Sequence, residues 1–187
     1  MTMATRPFSR TEYYLMVDHG MFHGERVELI EGHILALSPH NPTHSNAVTH
    51  TTGVLVRALG EDYLVRVQLP VSLGERSEPE PDFAVVTEAM LHSNTRHPSR
   101  PLLVMEVANS SLAYDRTEKA SLYARYGIRD YWVLNLIDRH LECCRNPVEA
   151  PQAEFGFDYA ERTLHLPDQT VSPLRIPEVR ILVSRLF

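Results

Sequence analysis

Lysine is nearly absent from this chain. Lys119 is the single lysine among eighteen basic residues, the rest being arginine. A guanidinium stays protonated and forks onto carboxylates and phosphates, whereas an ammonium is a compact charge whose pKa can be moved. A chain that uses arginine at every other cationic position and lysine here points to a need for an amine. The compositional alternative is that one of the eighteen had to be the lysine. Cysteine is scarce too. The two present, Cys143 and Cys144, are adjacent. Neighbouring strand side chains point to opposite faces, which argues against a mutual disulfide or a shared metal. No apolar run approaches the roughly 20 residues of a membrane-spanning helix. The opening MTMATRPFSR has no apolar signal-peptide core. These absences set the expectation of a cytoplasmic protein without membrane contact. A glycine-rich phosphate loop ending in Gly-Lys-Ser or Gly-Lys-Thr is also missing, which lowers the case for a nucleotide-binding fold of that kind.

What is present is ordinary for a globular domain. The 187 residues are 43% apolar and 22% charged, enough to bury one core and short for two. A single domain over residues 1–187 is expected. The formal charge of −6 argues against broad adhesion to nucleic acid, although a local basic groove is compatible with it.

Ser9 and Glu12 have capping-box spacing and predict a helix from Thr11 to about Asp18. The alternating segments 26–31 and 33–37 around Gly32 predict a hairpin. Apolar spacing predicts a helix over 43–59, stopped by Gly60. Residues 63–73 are strand-like, with Pro70 marking a bend or an edge. Asp82 opens a short apolar strand, and 94–101 is a polar, basic loop. Residues 101–108 form a near-continuous apolar run, as in a strand buried on both faces. Asp115 and Glu118 predict a second capping box, starting a helix over 116–126 that Gly127 ends. Strands over 131–136 and 140–144 form a second hairpin. Short strands are expected near 157–159, 163–166 and 179–182. The sum is α/β (α+β): a central mixed β-sheet flanked by helices, with additional β-hairpins.

Five side chains are candidates to carry the chemistry. Glu106 interrupts the apolar strand LLVMEVA, sharing a face with Val104 and Ala108. A carboxylate there is costly to desolvate unless it is paired or bound to a metal; the plain alternative is a strand-end glutamate that reaches solvent or an arginine. Pro81 forces an extended entry into Asp82. If the two strands are neighbours, Asp82 and Glu106 converge at one end of the sheet and suit Mg²⁺, an oxygen-seeking ion that keeps several waters. Asp82 as a turn-former after proline is the other reading. Lys119 shares a helical stripe with Leu122, Tyr123 and Tyr126, which directs its amine to the sheet; alternatively it is solvated and paired with Asp115. Glu28, on the first hairpin, completes a cluster of acids or is an exposed hairpin residue. His44 could contact a phosphate or a metal. Pro42 between His40 and His44 spoils a helical zinc pair.

Order, spacing and flanking residues make the chain resemble the PD-(D/E)xK superfamily of metal-dependent nucleases. Within it, the chain resembles the Uma-two family of bacterial endonucleases. The matching segments are RVELIEGHILALSP, the start of the His44 helix, SEPEPDFAVV, LLVMEVANSSLAYDRTEKASLYARYGIRDYWVLNL and the closing strands, so residues 10–187 are covered. The resemblance implies a restriction-endonuclease-like core, with Asp82 at the aspartate position and Glu106 at the acid that follows. One departure stands out. The superfamily's lysine lies two residues after the acid, where this chain has Ala108; the resemblance implies that the role has moved to Lys119 on the next helix.

By this resemblance, Asp82, Glu106 and the backbone carbonyl of Val107 are expected to hold Mg²⁺ or Mn²⁺. Glu28 is expected to act through water or a second ion, and Lys119 to position the attacking water. His44, Arg96 and Arg116 are expected to contact substrate. The implied activity is that of an endonuclease on nucleic acid, DNA in particular, working as a homodimer. The rival reading is a catalytically silent nuclease-like scaffold that binds nucleic acid or a protein partner. A phosphoesterase acting on small phosphates is a further alternative.

Overall fold

A six-stranded mixed sheet organises the computed structural model, which describes residues 5–91 and 96–187. The first four residues of MTMATRPFSR and the loop residues Asn94 and Thr95 lie outside the described residues. The sheet runs β3 (Leu64–Val67), β4 (Phe83–Val86), β5 (Leu103–Ala108), β6 (Asp130–Asn135), β7 (His140–Glu149) and β8 (Phe157–His165) in spatial order. Only β5 and β6 pair in parallel; the other neighbours are antiparallel. A parallel pair needs a crossover. Here it is a helical segment made of α3 (Leu112–Tyr114), a π-turn (Asp115–Lys119) and α4 (Ala120–Arg125).

The apolar run of β5 is buried at all six positions because the sheet is covered on both sides. Leu103, Met105 and Val107 pack with Ala47, Leu55 and Leu59 of α2 (Pro42–Leu59) and with the C-terminal residues Val183 and Leu186. Val104 and Ala108 pack with Ala120, Leu122 and Tyr123 of the crossover helix. Strand alternation thus turns Glu106 toward the crossover helix and away from α2. Cys143 joins the first core and Cys144 the second, both as free thiols, as expected of neighbours on one strand.

The locally encoded elements form where expected. α1 (Arg10–Asp18) carries a complete capping box: Glu12 N–H donates to Ser9 Oγ at 3.2 Å, and Ser9 N–H to Glu12 Oε2 at 2.9 Å. The hairpin of β1 (Val27–Ile30) and β2 (His33–Ala36) turns through Glu31 and Gly32, whose φ angles are 46° and 85°, as a two-residue turn matching strand twist requires. A Cβ at Gly32 would come 2.3 Å from Pro7 Cβ, so glycine is needed for space as well.

Three expectations are corrected. The strand expected over 63–73 is only the four residues of β3; Gln68 has a φ of 51°, and the chain leaves the sheet there. The strands expected near 157–159 and 163–166 are one continuous β8, paired with β7 along its length. Two-residue strands β9 (Thr170–Val171) and β10 (Ile181–Leu182) form a separate small sheet. Asp115 and Glu118 do not form a capping box, because the helical segment begins a turn earlier. Asp115 has helical φ and ψ of −66° and −34°, and its carboxylate accepts from Ser111 Oγ at 2.6 Å.

Candidate active site

The register of β4 against β5 pairs Phe83 with Met105. One step further sets Asp82 beside Glu106 on the face that receives the crossover helix. The two are joined through backbone groups. Asp82 N–H donates to Glu106 Oε2 at 3.0 Å, and Val107 N–H donates to Asp82 Oδ2 at 2.9 Å. Gln68 Nε2 donates to Asp82 Oδ1 at 3.1 Å. The positive φ that ends β3 at Gln68 is therefore also what brings this amide to the acid.

Lys119 enters from the π-turn. Its Nζ donates to Glu28 Oε2 at 2.7 Å and lies 3.6 Å from Glu106 Oε1. Glu28 also accepts from Glu80 N–H at 3.2 Å. One helical turn beyond Lys119, Tyr123 donates its hydroxyl to Glu106 Oε1 at 2.9 Å. Glu28, Asp82, Glu106, Asp115 and Lys119 are all buried. His44 sits in the first turn of α2, where Asn41 Oδ1 caps its N–H at 2.9 Å. Its Nε2 donates to Asp82 Oδ2 at 3.1 Å. His40 stacks on His44 with ring centroids 4.6 Å apart.

Glu28, His40, His44, Asp82, Glu106, Asp115 and Lys119 line one open cleft of about 600 Å³, together with Arg26, Glu80 and the loop Asn109–Ser111. Its lining carries five acids, Glu28, Glu80, Asp82, Glu106 and Asp115, against Arg26, Lys119 and the two histidines His40 and His44. The charge states follow from the contacts. Burial pushes Asp82 up, but the His44 contact, the Val107 N–H and the Gln68 amide bring it below its ordinary value. Burial pushes Glu106 up to about 8, against the pull of Lys119 and with added repulsion from Asp82 and Asp115. Burial likewise takes Asp115 up to about 6, opposed by the Ser111 hydroxyl and Lys119. Burial would lower Lys119; the adjacent Glu28 and Glu106 override it and hold the ammonium protonated above its ordinary range. His44 is raised by its bond to Asp82, which outweighs burial.

The cleft thus holds one firmly ionised carboxylate beside another that lacks sufficient positive charge. Among the described residues, no three His, Cys, Asp or Glu side chains are grouped to hold a metal ion. What Asp82 and Glu106 offer is a pair of oxygen donors, which fits Mg²⁺ or Mn²⁺, hard ions that retain waters. Glu106, under-compensated, is the group that such an ion would relieve.

Of the candidates from sequence, Glu28, Asp82, Glu106, Lys119 and His44 meet in this cleft. Val107 joins them through its backbone N–H. Arg96 and Arg116 do not. Arg96 is 3.3 Å from Glu75 and faces separate pockets formed by α1 and the 96–100 loop. Arg116 points to β7, where its Nε donates to Glu142 at 3.0 and 3.1 Å. Arg116 lies within the π-turn, on the side of the segment away from the cleft that Lys119 lines. Spacing alone assigns Asp115 to a cap and Tyr123 to the stripe that packs on the sheet, and gives neither a part in the site. The signal that could have found them is the four-residue spacing Asp115, Lys119, Tyr123, one stripe on a helix.

A family model described as "Putative restriction endonuclease" (Uma2) matches residues 11–184. The chain belongs to this family. No curated protein matches it. The fold is similar to the crystal structure of "a putative nuclease belonging to DUF820" from Anabaena variabilis, with a TM-score of 0.60 and 16% identity over 91% of this chain and 96% of that one. Among the described residues, no helix is long and apolar enough to cross a membrane.

Proposed function

We propose that this family member is a divalent-metal-dependent endonuclease that hydrolyses phosphodiester bonds of DNA in the Asp82–Glu106–Lys119 cleft. The observation that carries the reading is the convergence of Lys119 Nζ on Glu106 at 3.6 Å, from a helix the superfamily pattern does not use for its lysine. The amine required near the acid is present although Ala108 occupies the usual position.

Asp82, Glu106 and the Val107 carbonyl would hold Mg²⁺ or Mn²⁺, which would supply positive charge to a phosphate and to its leaving oxygen. The acidic lining otherwise repels a polyanion, which supports a requirement for metal. Lys119 is an ammonium and therefore not a base. It donates to the attacking water or to a phosphate oxygen, and Glu28 fixes its position. Tyr123 and the Asp82 N–H orient the Glu106 carboxylate. His44 and Gln68 hold Asp82 from the other side. In the reaction, water oxygen bonds to phosphorus and the bond to the 3′-oxygen breaks. One water proton ends on the 3′-hydroxyl, and the other is released as the new phosphate ionises. A homodimer, which would present one such centre to each strand, is part of the proposal.

The test is incubation of supercoiled plasmid, linear duplex and single-stranded DNA with Mg²⁺ or Mn²⁺, beside Lys119→Ala and a chelator control. Cleavage that needs both metal and Lys119 is the expected result. A protein that cleaves none of these overturns the reading in favour of a silent scaffold.

A further inference from the structure

Six of the eight tyrosine hydroxyls in this protein donate inside the fold, and half-buried Tyr63 is not among them. Tyr13 donates to Val27 O at 2.8 Å, Tyr14 to Glu78 at 3.0 Å, Tyr126 to Glu31 at 2.7 Å, and Tyr159 to Ile128 O at 2.8 Å. Tyr123 and Tyr131 likewise donate within the fold, to Glu106 and to the Asp115 carbonyl. Tyr114 is different. Its hydroxyl oxygen is buried and has no hydrogen-bond partner, and the residue lines the candidate active-site cleft. The other buried orphan atoms among the described residues, Arg66 Nε and Glu78 Oε2, belong to residues outside that cleft's lining. A buried polar group without a partner is costly, and in a native fold it calls for a ligand or a strain to explain it.

The local backbone explains why this tyrosine stands there. Positions five apart on an α-helix lie about 140° apart around the axis. Tyr114 and Lys119 are five apart, yet both line the cleft, and Lys119 Nζ lies 5.9 Å from the Tyr114 ring centroid. The π-turn over Asp115–Lys119 widens the helix there and brings both side chains to one side. Burial, with Glu28 nearby, keeps the phenol protonated, so it is a neutral donor. The cleft's other strong donors are engaged: Lys119 with Glu28, Arg26 with Glu80, and His44 with Asp82.

We propose that the Tyr114 hydroxyl is a substrate contact, donating to a non-bridging oxygen of a phosphodiester bound in the cleft. The inference deepens the nuclease reading and rests on it for the identity of the ligand. A neutral donor suits this place because the neighbouring acids already compete for the cations in the cleft. The hydroxyl forfeits an internal bond in the free protein and gains one when the phosphate arrives.

Tyr114→Phe removes the hydroxyl alone. The probe is the dinucleoside phosphodiester thymidylyl-thymidine with Mg²⁺, its binding followed by phosphorus NMR, with melting temperature and plasmid cleavage measured on the same preparations. The expected result is binding weakened roughly tenfold, as for loss of a hydrogen bond to a charged group, with melting temperature unchanged or raised. Equal affinity in the variant overturns the inference, as does a wild type that does not bind the probe. A lowered melting temperature also overturns it, since the hydroxyl would then have an internal partner. Binding that depends on Tyr114 in a protein that cuts no plasmid upholds the contact and removes the nuclease reading.

Discussion

Lys119 Nζ donates to Glu28 Oε2 at 2.7 Å across 91 positions of sequence, with both side chains almost wholly buried. The first hairpin and the crossover helix are thereby tied to each other directly over the cleft. The pair does two things: it fixes the ammonium beside Glu106 and it neutralises a carboxylate that would otherwise be buried alone.

Removing one partner should therefore cost stability as well as activity. Lys119→Ala should lower unfolding free energy by about 3–5 kcal/mol, the usual cost of breaking a buried ion pair. The double variant Glu28→Gln/Lys119→Met should recover much of that stability while remaining inactive. Urea unfolding and plasmid cleavage, run side by side, separate the two effects. A double variant that cleaves normally would remove Lys119 from the chemistry.

The acidic lining predicts that metal binding is visible without turnover. Mg²⁺ or Mn²⁺ should raise the melting temperature of the wild type, because the folded state alone presents Asp82 and Glu106 together. Asp82→Asn should abolish the rise. Duplex binding, measured with non-cleaving Ca²⁺ by fluorescence anisotropy, should likewise depend on the ion. Equal duplex affinity with and without divalent ions would contradict the charge argument.

Arg116 should behave as a structural residue. Its guanidinium grips Glu142 through Nε and Nη2, and His140 Nε2 lies 3.0 Å from the same carboxylate. Burial would raise Glu142, but the Arg116 and His140 bonds outweigh it and bring the carboxyl below its ordinary 4.5. A depressed folded-state value means stability present above about pH 4.5 and lost as pH falls through the folded value. Glu142→Gln should flatten that acid limb in melting curves taken from about pH 6 to about pH 3. Because Arg116 is partly exposed, Arg116→Ala should cost only about 1 kcal/mol, with cleavage largely retained.

The thiols should be inert in the folded protein. Burial raises Cys143 well above its ordinary range and takes Cys144 to about 11, and the two face different cores. A chromogenic disulfide reagent should label neither until denaturant is added, and oxidation should not join them. Rapid native labelling would mean that β7 opens far more readily than its place between β6 and β8 implies.

Much of the fold was legible because it rests on short-range rules. The Ser9 and Glu12 box, the Glu31–Gly32 turn and the buried run of β5 are each written in a few consecutive residues. Strand alternation alone turned Glu106 one way and Val107 the other, and it parted Cys143 from Cys144. The same rules misread Asp115. Its spacing to Glu118 copies a capping box, but where a helix starts depends on which backbone N–H groups are already satisfied, and the turn begun at Ser111 had satisfied them. The convergence of Asp82 with Glu106 needed the β4–β5 register. Whether an arginine faces the cleft or β7 depended on a π-turn that no local pattern announces. Most of the elements, the faces of the strands and the cluster Asp82, Glu106 and Lys119 are written in residue order and spacing. The pairing of Glu28 with Lys119, the placement of Arg96 and Arg116 elsewhere, and the unpartnered Tyr114 hydroxyl arise from the folded packing. Contacts between distant positions are selected by packing and desolvation of the whole fold, which residue spacing does not encode.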